Sequence, residues 1–399
     1  MLRNRLAIES ISALGPTELC HVAGKSLLER RSDISFWKAI RARAVEISAQ
    51  LNSTQAARLI HNIQSADASS NDSVVELTRV ITDRSLSKSV ADSISLPEAI
   101  ELNSTDVRKL VIAFCRGQVF DSELLLALLD KATASLNDYN TQSQASMLVA
   151  LARINRPHEE FITMVCRNLV SNHVALSLHE VVAVLTALSK MQVYDAALFD
   201  ATTAHLASHA AQLDVEDLRS YLLAQARLKK RGVSRDDSKP LAILISDCLR
   251  PQLRRLETRE VFQVFFSLAE LNALDGPFIR ERLIPIIRKR LSEEKGLRSA
   301  ALAIQLLSRL PFTCAGATEL NAEAISILET ATSADAAAQP AALAAGAVAG
   351  AKVWDALEEA GPEPLARLRD GEFSALAAAA GKEGRLLHAV KVERLRRSS

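Results

Sequence analysis

Basic side chains are concentrated between Arg219 and Arg298, where the sequence holds 18 Lys and Arg residues but only 10 Asp and Glu residues. Because the whole chain has a formal net charge of only +1, this surplus is local. Guanidinium and ammonium groups bind phosphate oxygens, so a basic stripe on one face could follow a phosphate backbone. A solvated face or a docking surface for an acidic protein would leave the same pattern. The candidate phosphate-binding residues are Lys229, Lys230, Arg231, Arg235, Arg254, Arg255, Arg259, Arg288, Lys289 and Arg290.

Residue patterns typical of catalysis are not found. The sequence has no Gly-rich phosphate loop, no GxSxG, no HExxH and no CxxC pair. His205 and His209 lie four residues apart, a spacing that suits two metal ligands on one helix face, but no glutamate lies between them and no third ligand accompanies them. We interpret them as ordinary, partly buried histidines. The sequence predicts a protein that is not an enzyme, with no catalytic residue, metal, cofactor or small-molecule substrate.

The cysteines, the longest apolar run and the N-terminal residues indicate in which part of the cell the protein is expected. The five cysteines are widely spread and odd in number, which favours buried thiols in a reducing compartment over a disulfide framework. We expect Cys115 and Cys166 to lie in the core. The apolar run at 340–351, "PAALAAGAVAGA", is too short to span a bilayer, so no membrane insertion is expected. The N-terminal "MLRNRLAIESISALG" fits a remnant of an organelle-targeting segment and a frayed helix start equally well.

The elements that would position these residues follow a repeat. A cadence of Ala-Leu, a small residue, a basic residue and an apolar residue recurs every 37 residues in the middle of the chain, as in "ALARI" (150–154) and "ALSKM" (187–191). We take the first residue of this cadence as an anchor, and the residues two and three before it are apolar in every unit. The eight anchors are Lys25, Asn62, Ala113, Ala150, Ala187, Ala224, Ser267 and Leu306.

Capping signals precede each anchor at a fixed distance. Most residues ten before the anchors are ones that cap helix N-termini, and three residues later come mostly acidic or amide side chains, the spacing of a capping box. An apolar residue before the cap and another at the fourth helical position form a hydrophobic staple, predicted for Leu176 with Val181 and for Leu213 with Leu218. The predicted caps are Gly15, Asn52, Asn103, Asn140, Ser177, Asp214, Glu257 and Gly296.

These signals predict an all-α fold. Because two-helix units of 37 residues cannot bury their apolar faces alone, we expect about eight helix-turn-helix repeats stacked into an α-solenoid. Residues 1–13 would be an N-terminal extension, 14–332 the solenoid, and 333–399 an Ala-rich, degenerate helical cap that ends in the basic tail "KVERLRRSS". The longer gaps between anchors predict a polar loop at 65–73 and an extended connection at 229–240.

The cadence, written out in "LSLHEVVAVLTALSKM" (176–191), resembles organellar helical repeats of the heptatricopeptide and octotricopeptide type. It is similar to the leucine-rich helical region of FAST-kinase-like proteins and to the repeat domain of RNA-editing substrate-binding complex proteins. The resemblance covers about residues 14–330 and implies organellar RNA binding, RNA processing or stability, or a place in a ribonucleoprotein particle. The chain has neither a RAP-type C-terminal domain nor the Pro-Pro-Pro-Glu-Trp signature of octotricopeptide repeats.

Two hypotheses therefore remain open. The first is a non-catalytic RNA-binding protein acting on organellar mRNA or rRNA, in the mitochondrial matrix or alternatively in a plastid or the cytoplasm. The second is a scaffold that binds protein subunits of a large mitochondrial complex, such as the mitoribosome or an RNA-editing complex. The residues four before each anchor include two apolar ones, Ala183 and Leu302, so a code of one base per repeat is not supported.

Overall fold

The computed structural model is all-helical, and no strand occurs in the part of the chain that it describes. This confirms the predicted all-α class. The structure describes residues 8–66, 71–92, 95–117, 122–232, 256–274, 276–294, 296–310, 315–330, 351–360 and 363–368, with isolated residues between 242 and 253 and between 373 and 396.

Helices that begin directly after the predicted caps are called first helices. They are α2 (Pro16–Leu28), α4 (Ser53–Ala66), α7 (Ser104–Gly117), α9 (Thr141–Ile154), α11 (Leu178–Met191), α13 (Val215–Lys230), α14 (Thr258–Glu270) and α16 (Leu297–Leu307). The helices that follow them are called second helices. They are α3 (Ile34–Glu46), α5 (Asn71–Asp92), α8 (Ser122–Ala134), α10 (Glu159–Asn172), α12 (Ala196–Ser208), α15 (Ile284–Glu294) and α17 (Ala315–Leu328). Shorter helices are α1 (Ile8–Ile11), α6 (Leu96–Ala99) and α18 (Ala351–Ala360).

The predicted N-caps are confirmed, since each of them immediately precedes a first helix. At α11 the capping box is complete: the Ser177 hydroxyl accepts from the Glu180 N–H at 3.3 Å, and Glu180 accepts from the Ser177 N–H at 2.8 Å. The same reciprocal pair joins Asn52 and Gln55 at the start of α4. These bonds satisfy donors that a helix start otherwise leaves unpaired, which fixes where α4 and α11 begin.

The ends of several first helices share one backbone conformation. Four non-glycine residues of the described chain have a positive φ, and each of them lies five residues after an anchor: Arg30, Asn155, Gln192 and Asn272. The next N–H then bonds back across the helix end, as from Val193 to the Leu188 carbonyl at 3.0 Å and from Ala273 to the Leu268 carbonyl at 2.9 Å. This is a Schellman-type termination, and its recurrence at one position is structural support for the repeat.

The predicted staple residues are buried. Leu176 and Leu213 are 6% and 5% exposed, and Val181 and Leu218 are almost fully buried. Cys115 and Cys166 are also buried, as expected. Each first helix thus turns a 3.6-period apolar stripe inward, and burial of this stripe is the main source of its stability.

The chain divides into two compact units, residues 1–209 and 210–399. Within the first unit, α2 packs on α4, α4 on α7, α7 on α9 and α9 on α11. Among the second helices of this unit, α8 packs on α10 and α10 on α12. Within the second unit, α13 packs on α14 and α14 on α16, while α15 packs on α17. In both units, therefore, first helices pack on first helices and second helices pack on second helices.

The prediction for residues 65–73 was partly wrong. Helix α4 continues through Ala66 and α5 begins at Asn71, so both ends of the predicted loop are helical, while residues 67–70 lie outside the described part. The additional residues of this repeat lie after the second helix begins, in the 22-residue α5 and in the short α6. The Pro at the second position of α6 and the box between Ser95 and Glu98 start this extra helix.

The predicted connection at 229–240 and the Ala-rich region extend beyond the described residues. Lys229 and Lys230 belong to the last turn of α13, and 233–240 lie outside the described part. Of 333–399, the structure describes α18, a 3-10 turn at Pro364–Arg367 and isolated helical residues. None of the described helices is both long and apolar enough to cross a membrane.

Candidate nucleic-acid interface

The first group of predicted site residues lies at the C-terminal end of α13. Lys230 and Arg231 are exposed, and Lys229 is half-buried. Arg235, Arg254 and Arg255 lie outside the described residues. The end of α13 therefore offers a basic surface, which also complements the negative end of the helix dipole.

Arg288 and Lys289 in α15 are paired within the protein. Arg288 contacts Glu319 through Nη2 at 3.1 Å and Glu323 through Nε at 3.0 Å, both on α17. Lys289 contacts Glu293 one turn further along at 3.5 Å. A phosphate would have to compete with these carboxylates, so Arg288 and Lys289 are weaker candidates than their charge suggested.

Arg290 has a structural partner. Its Nη2 donates to the carbonyl oxygen of Leu256 at 2.6 Å, which fastens α15 to the residue before the cap of its own first helix. The same contact occurs in the first repeat, where Arg43 Nε donates to the Leu14 carbonyl at 2.9 Å. Because Leu14 and Leu256 occupy the same repeat position, this bond is a recurring feature of the two-helix unit.

An open depression of about 350 Å³ lies between the N-terminal ends of α14 and α16. Its lining contains three arginines, two hydroxyl residues, one carboxylate and one leucine: Arg259, Arg290, Arg298, Ser299, Thr258, Glu257 and Leu302. Arg259 and Arg298 both lie eight residues before an anchor, and this equivalence brings them to adjacent helix starts. Both side chains are exposed, and neither forms an ion pair with a described residue.

The electrostatics of the depression favour an anion. Three guanidinium groups face one carboxylate, and two helix N-termini add partial positive charge. Glu260, which caps the α14 start by accepting from the Glu257 N–H, is also held by Arg219 at 3.2 Å. The structure thus brings the predicted Arg259 and Arg290 together and adds Arg298, which sequence reasoning had not selected.

A second basic surface was not among the predicted site residues. Arg116, Arg153 and Lys190 lie 37 residues apart, three residues after their anchors, in the last turns of α7, α9 and α11. We call these three residues the basic row. The signal was present in the sequence, since a basic residue is part of the repeated cadence, but the larger net excess near the C-terminus drew attention away from it.

The pKa of His61 on α4 is affected by the positive charges beside this row. The pKa of His61 is lowered to about 4, mainly by burial and additionally by the positive charges of Lys109, Arg116 and Arg108 on α7. Burial likewise lowers the pKa of Arg116, and the neighbouring Arg153 adds to this effect. Like charges therefore lie close together along α7 and α9.

The remaining candidate groups do not form a reactive site. The rings of His173, His205 and His209 stack with centroids 5.4 Å and 4.8 Å apart, but no cluster of described residues is arranged to hold a metal ion. Burial raises the pKa of the Cys115 and Cys166 thiols to about 12, so they are protonated and unreactive near neutral pH. Comparison with known protein families and with curated proteins finds no match to this sequence.

Proposed function

We propose that this protein is a non-catalytic RNA-binding α-solenoid. The depression lined by Arg259, Arg290 and Arg298 carries the proposal, because it presents the exposed guanidinium groups of Arg259 and Arg298 at two helix N-termini on adjacent repeats. Arginine binds phosphate oxygens through a planar fork of donors, and this contact does not depend on base sequence. The ligand would be the backbone of an RNA strand that crosses the starts of α14 and α16.

The solenoid part of the proposal is supported by the stacking of like helices within each unit. It is also supported by the caps and by the left-handed helix ends that recur at fixed distances from the anchors. Stacked two-helix repeats generate extended surfaces on which equivalent side chains line up, and this is how an array can follow a polymer.

The organellar setting belongs to the same proposal. It is supported by the resemblance of the 37-residue cadence to organellar helical repeats, and it places the protein in mitochondrial RNA processing, RNA stability or ribonucleoprotein assembly. Imaging of the full chain with a C-terminal tag tests this placement. A signal confined to the cytoplasm would contradict it.

A scaffold function is favoured by a different surface. Val75, Leu86 and Val90 on α5 are 40%, 43% and 80% exposed, which is a notable apolar exposure on one second helix. Exposed apolar patches mark protein interfaces more often than nucleic-acid interfaces. We therefore keep a protein partner as the competing function and choose an experiment that separates the two.

The experiment is a salt titration of RNA binding with matched variants. Mixed-sequence single-stranded RNA is titrated with the full-length protein, with the Arg259→Gln/Arg298→Gln variant, and with the Arg280→Gln/Arg282→Gln control. The control loses the same charge from exposed arginines in the π-helical segment Ile279–Leu283. Loss of two phosphate contacts should flatten the slope of log K against log salt by roughly 1.4 units, and the control should keep the original slope.

Three outcomes decide between the functions. A flattened slope in the Arg259→Gln/Arg298→Gln variant alone supports RNA binding through the depression. Equal slopes in all three proteins would remove the depression from the proposal. If the wild-type protein does not bind RNA even at low salt, RNA binding fails and the scaffold function takes its place.

A further inference from the structure

We propose that the basic row, Arg116, Arg153 and Lys190, binds the phosphodiester backbone of single-stranded RNA with one phosphate contact per repeat. The inference rests on the proposed RNA binding, but it concerns a different site on different repeats. It also predicts how the RNA is positioned. The spacing between neighbouring repeats would determine which phosphates are bound, and the identity of the bases would not matter.

The placement of the row follows from the packing of the first helices. Helix α7 packs against α9, and α9 packs against α11. Because the three residues occupy the same position on each helix, they must lie side by side, separated by the distance between packed helices of about 8–10 Å. Helical repeats that bind single-stranded RNA accommodate about one nucleotide per repeat, so this pitch suits one extended strand.

The charges of the row are not compensated by acids. Arg153 and Lys190 are exposed, and neither forms an ion pair with a described residue. Arg116 has a hydroxyl partner, donating from Nη1 to Ser65 Oγ at 3.3 Å. The positive charge of Arg153 lowers the pKa of both Arg116 and Cys115 on the preceding first helix. Like charges at this spacing repel one another, and an anionic strand would relieve that repulsion.

The positive surface extends from the row onto α4. His61 faces Arg108, Lys109 and Arg116 and has an Nδ1 atom without a hydrogen-bond partner among the described residues. Asp106 is the nearby acid, but it is 1% exposed and lies between Arg58 at 3.4 Å and Lys109 at 3.9 Å. A ligand at this surface would therefore meet cations and a neutral imidazole.

A cation in the last turn of a helix also complements the helix dipole, and this would be a sufficient reason for any one of the three residues. The dipole would act on stability alone, whereas a binding row must also change the salt dependence of RNA affinity. The two roles can therefore be separated by measurement.

An RNA strand fits the row better than an acidic protein does. Protein interfaces combine charged rims with an apolar centre. The large apolar side chains that are exposed in the described part of residues 1–209 are Leu28, Ile34, Val45, Val75, Leu86, Val90, Leu126 and Val174. None of them belongs to α7, α9 or α11, so the row has charge but no apolar centre.

The test compares two triple variants of the full-length protein. In the row variant, Arg116→Gln, Arg153→Gln and Lys190→Gln remove the three charges. In the control variant, Lys38→Gln, Arg84→Gln and Arg167→Gln remove three exposed charges from the second helices α3, α5 and α10. Binding of oligouridylate is measured across a salt titration, because this homopolymer stacks weakly and reports phosphate contacts.

The row variant should bind roughly tenfold more weakly at low salt, with a salt slope flattened by about two units, since each lost contact to a single strand removes about 0.7. The control variant should keep the wild-type slope. A charge-preserving variant, Arg116→Lys with Arg153→Lys, should bind like the wild type, and circular dichroism verifies that every variant keeps its helices.

Failure of the inference and failure of the proposed function look different. If the row variant and the wild type show the same slope while RNA still binds, the row is structural and the inference is wrong. If the row variant loses binding to polyglutamate but not to oligouridylate, the row is a protein-docking surface, which also overturns it. If the wild type binds no RNA at all, the proposed function fails together with this inference.

Discussion

The arginines of this protein differ in their hydrogen-bond and ion-pair partners. Some are held by groups within the fold, and others are exposed. Arg288 reaches two glutamates on α17, and Arg290 donates to a backbone carbonyl, so both help to hold helices together. Arg259 and Arg298 are exposed without acidic partners among the described residues. A long cationic side chain contributes to binding when its charge is not already neutralised, and residue type does not reveal this.

Two buried glutamines give a matched test at the residue scale. Both amide atoms of Gln64 lack a hydrogen-bond partner among the described residues, although the side chain is only 2% exposed. Gln144 donates to the carbonyls of Leu136 and Tyr139 and accepts from Asn168 Nδ2. An unpaired buried amide costs about 1–3 kcal/mol, whereas a paired one stabilises the fold.

We expect Gln64→Met to raise the free energy of unfolding by about 1–3 kcal/mol, because methionine fills the same space without an amide. Gln144→Met should lower the free energy of unfolding by a similar amount, because it removes three buried hydrogen bonds, two to the Leu136 and Tyr139 carbonyls and one from Asn168 Nδ2. Urea unfolding monitored by circular dichroism measures both changes. Destabilisation by both substitutions would show that the Gln64 amide is satisfied elsewhere in the chain.

At the scale of elements, helix boundaries are set by short local signals at fixed distances from the anchor. The cap residues start the first helices, and left-handed residues end several of them. These signals act through backbone hydrogen bonds within a few residues, so they operate without help from distant parts of the chain. This explains why the predicted cap positions were confirmed. The predicted loop at 65–73 was wrong at both ends, because α4 extends through Ala66 and α5 begins at Asn71.

The left-handed helix end of α11 gives the prediction for this scale. Gln192 has φ of 64°, a conformation that costs an ordinary residue roughly 1–2 kcal/mol and costs glycine almost nothing. Gln192→Gly should therefore stabilise the protein by about 1 kcal/mol. Lys190→Gly, two residues earlier in helical conformation, should destabilise it by a similar amount. Thermal unfolding measures both, and a loss of stability with Gln192→Gly would contradict the assigned cap.

At the scale of the whole molecule, the proposed RNA binding would rest on basic surfaces, because most of the described aromatic side chains are buried. The described Phe, Trp and Tyr side chains are buried except for Phe266 and Tyr194, which are half-buried. Phe266 lies under the Arg309 guanidinium at 5.0 Å, and Tyr194 packs against Phe199 with ring centroids 5.0 Å apart. Sequence-specific readers of single-stranded RNA stack unpaired bases on aromatic side chains and hydrogen-bond the base edges. The proposed binding would use phosphate contacts instead.

We therefore expect the full-length protein to bind oligouridylate and oligocytidylate with affinities within about threefold of each other at equal salt. Both complexes should show the same salt slope, since the same phosphate contacts would hold both strands. Fluorescence anisotropy with labelled strands of equal length checks this. A large preference for one homopolymer at equal slope would require a base-reading surface that the aromatic residues do not provide.

The sequence by itself determined the helical class, the spacing of the units, the caps of the first helices and the burial of residues such as Leu176 and Leu213. These features depend on hydrogen bonds and apolar contacts between residues close in the chain, so a local pattern records them. It also placed Arg259 and Arg290 in a basic region. It did not separate Arg259 from Arg288, because the acids that neutralise Arg288 are 31 and 35 residues away.

Only the tertiary structure shows which basic side chains have no ion pair with a described residue, and which of these side chains lie close together. The depression joins Arg259 to Arg298, and the basic row joins residues 37 positions apart, because like helices pack on like helices. Charge density along the chain favoured the second unit, whereas the row in the first unit is made of single residues, each isolated in its own helix. Electrostatic interactions act through space over about 10 Å, and a distance in sequence becomes a distance in space only after the helices have packed.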